Sequence, residues 1–132
     1  VKNLVAEGVC RWGFTDTDDY FLALDEGKPV KMLPITLENQ QVICIPNSVA
    51  IISGSQHQNH AQKLVDYLLS AETELALANS KSRQVPLGPV DEAKLPEEVK
   101  QLMPWVSQGF DLRVLSRSYN ECLAWVQKEY AQ

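Results

Sequence analysis

Along the chain, apolar positions fall into helical stripes separated by short runs that alternate or thicken like strands. Val1, Leu4 and Val5 make a helical stripe that stops at Gly8, a residue suited to the turn just past a helix. Val9, Trp12 and Phe14 then read as a short buried strand, and Phe21, Leu22 and Leu24 as the inner face of a helix over 16–25. Thr15 is the expected cap of that helix, with Asp18 three residues on, and Gly27 and Pro29 end it. Residues 30–35 read as a strand demoted by Pro34 to an edge or a connection, and residues 42–52 as a long β stretch broken at Pro46-Asn47.

The second half is more helical. Ala61, Leu64, Val65, Leu68 and Leu69 mark the clearest amphipathic helix, and Ser70 caps the next one, which ends near Asn79. Pro86 and Pro89 prevent regular pairing between residues 80 and 89. Pro96 is expected at the first position of a short helix that Pro104 ends. Tyr119, Cys122, Leu123, Val126 and Tyr130 follow helical spacing to the end of the chain. Alternating helices and strands predict an α/β fold, a mixed sheet flanked by helices.

The 132 residues are enough for one domain, and 45% apolar with 22% charged residues is ordinary globular usage. A net charge of −5 with scattered Lys and Arg speaks against a nucleic-acid groove. No apolar run is long enough for a membrane helix. Cys10, Cys44 and Cys122 have no zinc-like spacing, and their apolar neighbours predict buried small hydrophobes. Trp12, Trp105 and Trp125 read as core, and the Glu72-Glu74 and Glu97-Glu98 pairs as solvated faces.

Candidate chemistry concentrates in Thr15, Asp16, Thr17, Asp18, Asp19 and Tyr20, hydroxyls and carboxylates on a strand-to-helix turn. Such turns are where ligands bind in open α/β sheets. Helix N–H groups there favour an anion and the three carboxylates oppose one, so a cation or a polar solute is expected. The plain structural alternative is a capped, charge-matched helix start. An EF-hand loop is excluded because Phe21 and Gly27 occupy the positions that need Gly and Glu. Asp16-Thr17-Asp18 also suits a haloacid-dehalogenase-like phosphatase, which would need further Lys and acidic residues. His57 and His60, three apart, read as solvated rather than metal-binding.

Six segments in order carry a resemblance: Val-Ala-Glu-Gly (5–8), Trp-Gly-Phe-Thr-Asp-Thr-Asp-Asp (12–19), Gly-Lys-Pro-Val (27–30), Ile-Pro-Asn-Ser-Val-Ala-Ile-Ile (45–52), Ala-Gln-Lys-Leu-Val-Asp-Tyr-Leu-Leu-Ser (61–70) and Gln-Val-Pro-Leu-Gly-Pro (84–89). Together they resemble the C-terminal part of bacterial extracellular solute-binding proteins of ABC importers, those of the ferric-iron type above all. The resemblance implies a non-enzymatic, periplasmic or extracellular receptor that passes a metal ion or small polar solute to an ABC permease. It also implies a periplasmic-binding-protein-like (type II) fold of two lobes. Residues 1–29 would belong to the second lobe, 30–90 to a hinge and the first lobe, and 91–132 to C-terminal helices.

In the iron-binding members adjacent tyrosines hold ferric iron, and Tyr20 matches one of them while Asp19 and Phe21 flank it. Asp16, Asp18 and Tyr20 are thereby the candidate metal ligands, hard oxygens for a hard cation. The chain starts at Val1, within a helix already under way and without a signal peptide, which is expected of a mature product or an excised fragment. A fragment with open sheet edges would self-associate, or act as a ligand-free interaction module.

Overall fold

The computed structural model describes residues 1–130; Ala131 and Gln132, at the end of the 91–132 segment, lie outside the described residues. Helices dominate: α1 (Lys2–Ala6), α2 (Thr17–Asp25), α3 (Gln58–Leu68), α4 (Ala71–Ala78), α5 (Glu97–Lys100), α6 (Met103–Ser107) and α7 (Tyr119–Tyr130). Two 3-10 helices, Glu92–Lys94 and Leu112–Arg117, connect them.

Local signals account for several helix ends. Gly8 (φ 75°) and Gly27 (φ 71°) take the left-handed backbone that closes α1 and α2. The Ser70 hydroxyl accepts from the Thr73 N–H at 3.2 Å and caps α4, as its sequence requires. Two details differ from expectation. Pro96 precedes α5 as its N-cap rather than opening it, and Pro104 sits in the first turn of α6, where a missing N–H costs nothing.

The expected α/β architecture is not formed. Among the described residues there is no sheet, only two single-residue bridges, Thr36 with Val42 (antiparallel) and Val42 with Gly109 (parallel). The mixed sheet and the type II periplasmic-binding-protein-like fold are therefore corrected to a helical chain joined by extended segments. The physical reason is the absence of ladder partners. Val42 N–H donates to the Gln108 carbonyl at 2.9 Å and Phe110 N–H to the Val42 carbonyl at 2.8 Å, while Ile43 N–H reaches the Ile35 carbonyl at 2.9 Å. Beyond these rungs the 42–52 stretch has no regular secondary structure and is largely exposed, with Ile45 81% and Ile52 82% exposed. Val9, Trp12 and Phe14 are likewise uncovered rather than a buried strand, and Trp125 is exposed rather than core. A strand is stable only when something pairs its backbone and covers its face.

Burial is correspondingly local. Ala78, Leu95 and Val99 form the packed centre, with Leu75, Val85, Val90 and Met103 around it. The Asn79 side-chain amide ties this unit together, donating to the Leu75 carbonyl at 2.8 Å and the Lys94 carbonyl at 3.2 Å. A second patch lies on α2, where Phe21 and Ala23 are buried and Arg83 stacks over the Phe21 ring at 5.1 Å. All three cysteines are free; Cys10 and Cys122 are exposed and only Cys44 is partly covered, against the expectation of three buried thiols. No helix among the described residues is long and apolar enough to cross a membrane.

Candidate functional site

The chain does not cap α2 with Thr15. Asp16 holds the N-cap position in extended conformation (φ −82°, ψ 162°) and makes no side-chain cap bond. The Thr15 hydroxyl instead donates to the Asp19 carboxylate at 2.5 Å, so the expected Thr15–Asp18 arrangement is displaced by one residue. Asp18 and Asp19 both occupy the first turn, where the partial positive charge of the helix start favours carboxylates.

Helical periodicity then sorts the six candidate residues. Asp16, Asp19, Tyr20 and Ala23 recur at i, i+3, i+4 and i+7 and share one face of α2. That face borders a cleft of about 130 Å³, also lined by Thr15, Lys2, Lys31 and apolar residues including Val5, Phe14 and Val30. Thr17 and Asp18, on the other side of the helix, do not line it. Four of the six candidates are thus brought together and two are not. The tentative metal set Asp16, Asp18 and Tyr20 is split the same way, as is the Asp16/Asp18 pair of a phosphatase.

Lys2 and Lys31 are the cleft residues that motif reading missed. They are isolated cations in the sequence, and only the approach of α1 and the 30–35 segment to α2 makes them neighbours of the acidic turn. Gly13 lets the chain just before the acidic turn close on Val1, since a Cβ there would collide with a Val1 methyl carbon. With carboxylates, a hydroxyl, a phenol and two lysines among its lining residues beside apolar ones, the cleft can hold a small polar solute, donating and accepting hydrogen bonds. Its size lies well below the roughly 300 Å³ at which drug-sized pockets begin, which limits the solute to a few heavy atoms.

Other candidates stay apart. His57 and His60 face each other with ring centroids 6.1 Å apart on exposed residues at the start of α3. Among the described residues no group of three or more His, Cys, Asp and Glu is placed to hold a metal ion. Glu74 departs from its expected solvated role: its carboxylate accepts from the Leu87 and Gly88 N–H groups. Comparison with protein families, with curated proteins and with solved structures finds no match to this chain.

Proposed function

We propose that the chain is part of the solute-capture component of an ABC importer, a C-terminal portion of a periplasmic or extracellular receptor. It takes a small polar solute at the α2 cleft and delivers it unchanged to a permease. The ordered six-segment resemblance motivates the reading. The observation that carries it is the meeting of Thr15, Asp16, Asp19 and Tyr20 with Lys2 and Lys31 around one cleft. Carboxylates and lysines lining one cleft suit a solute that carries both signs of charge, such as a small amino acid or betaine.

The test is calorimetric titration and thermal-shift measurement with small zwitterions, divalent cations and ferric iron in parallel. A small zwitterion is expected to raise Tm, and Asp16→Asn and Tyr20→Phe to abolish the rise. A response to metal alone would replace the solute by an ion. No response to any member of the panel, or one that both variants leave intact, would remove the basis for the receptor. The hydrolase alternative is weakened by the separation of Asp16 from Asp18 on α2. Turnover of a phosphomonoester that disappears in Asp16→Asn would nonetheless establish it.

A further inference from the structure

The solvent-accessible surface is 10577 Å². A compact monomer of 14.8 kDa exposes about 7,000 Å². The excess, about 3,600 Å², is severalfold the roughly 800 Å² that each partner contributes to an ordinary stable dimer. Large apolar side chains are exposed along much of the chain, and α7 carries a regular run of them. Tyr119, Leu123, Val126 and Tyr130 share one stripe and are 62%, 41%, 45% and 73% exposed, and no residue of the helix is buried. Leu115, on the 3-10 helix that leads into α7, is also exposed. Lys128 and Glu121 lie on the opposite face by helical periodicity.

The order of residues along this stripe says what fits it. About a point midway between Ala124 and Trp125, Tyr119 mirrors Tyr130 and Leu123 mirrors Val126. Two antiparallel copies crossing at that point therefore place each tyrosine against the other tyrosine position and each aliphatic against an aliphatic. Such self-complementarity about a two-fold axis is what an isologous interface requires. The central pair Leu123 and Val126 is apolar, and the flanking tyrosines belong to a residue type enriched in interfaces. We propose that α7 docks against α7 of a second copy of this chain, antiparallel, through Tyr119, Leu123, Val126 and Tyr130. The proposal stands on this helix alone and does not depend on the receptor reading.

Sedimentation and light scattering over a concentration series test it. The expected species has twice the 14.8 kDa mass of the single chain. Leu123→Glu and Val126→Arg each weaken the dimer by about 30-fold or more, the loss associated with a central interface residue. Lys128→Ala, on the opposite face, leaves it unchanged, and circular dichroism confirms that the charged variants keep their helix content. Orientation is read in chains with Cys10, Cys44 and Cys122 changed to Ser. A Tyr119→Cys chain mixed with a Tyr130→Cys chain oxidises to the mixed disulfide in preference to the 119–119 product. A monomer at every concentration, with the stripe covered by its own chain or awaiting a different polypeptide, overturns the proposal. So does a dimer indifferent to Leu123→Glu, or one that forms the 119–119 product first.

Discussion

Arg83 grips Asp25 across 58 residues of sequence, its two terminal nitrogens donating to the two carboxylate oxygens at 2.9 and 2.8 Å. The guanidinium also lies over the Phe21 ring at 5.1 Å, so one side chain holds both the end and the inner face of α2. Arg83 itself sits at φ 44°, a backbone conformation non-glycine residues rarely adopt. The planar fork matters here, because a lysine can neither make the paired bonds nor stack. Tm is therefore expected to fall in the order wild type, Arg83→Lys, Arg83→Ala, by a few degrees in all, in a thermal melt followed by circular dichroism.

The same contact has a pH signature. The hydrogen bond from Arg83 holds the Asp25 carboxyl below its ordinary value of 3.8, its charge reinforcing the effect. A depressed folded-state pKa contributes stability that is present above 3.8 and lost as pH falls through the lowered value. Carboxyl NMR titration is expected to show Asp25 titrating below 3.8 in the wild type and returning to it in Arg83→Ala. An unchanged midpoint would mean the ion pair is not formed in solution.

How much of this could be read beforehand depended on the range of the interaction responsible. Helix ends were legible because their causes are local: Gly8 and Gly27 accept positive φ, and Ser70 caps the helix immediately after it. The expected strands do not form because an apolar run such as 42–52 reports only that a residue would prefer cover. Whether a partner exists is non-local, and among the described residues Val42 alone finds a bridge partner on each side. The acidic turn does lie on a helix start, but its six residues do not act as a unit. Periodicity along α2 already separates Asp16, Asp19 and Tyr20 from Thr17 and Asp18, so that sorting was available from the sequence. Arg83 and Glu74 gave no comparable signal, since their partners lie far along the chain.

Glu74 provides the next prediction. Its carboxylate accepts from Leu87 N–H at 3.2 Å and from Gly88 N–H at 2.9 Å, fixing the irregular 80–89 segment to α4. A Cβ on Gly88 would stand 2.8 Å from the Glu74 Oε2 atom, so a larger residue there must push the carboxylate aside. Glu74→Ala leaves two amides without this acceptor and is expected to cost about 1–3 kcal/mol in urea unfolding. Gly88→Ala, which displaces the carboxylate without removing it, should cost less. Faster amide exchange at Leu87 in both variants would tie the loss to this contact.

Val99 tests where the core lies. It is fully buried between Ala78 and Leu95, and it is the largest completely enclosed side chain. Val99→Ala removes two methyl groups from a close-packed setting and should cost about 2–3 kcal/mol from lost transfer energy and the cavity left behind. The matching truncation at exposed Ile52 should change stability by under about 0.5 kcal/mol. Equal losses at the two positions would contradict the placement of the core.

The cysteines separate a covered thiol from an open one. Cys10 is exposed, whereas Cys44 is partly buried, with its sulfur 3.5 Å from the Trp105 carbonyl oxygen. Burial pushes the Cys44 thiol above its ordinary value of 9.0. The thiolate is the reactive form, so both access and ionisation slow Cys44 relative to Cys10. In a Cys122→Ser chain, a chromogenic disulfide reagent near neutral pH is expected to give two equal amplitudes, fast for Cys10 and slow for Cys44. Cys10→Ser removes the fast phase and leaves the slow one, whose rate climbs as pH rises toward 9. Denaturant should merge the phases by uncovering Cys44. Two fast thiols in the native chain would mean that the 42–44 segment is not held against residues 105–110, the contact on which the two bridges of Val42 depend.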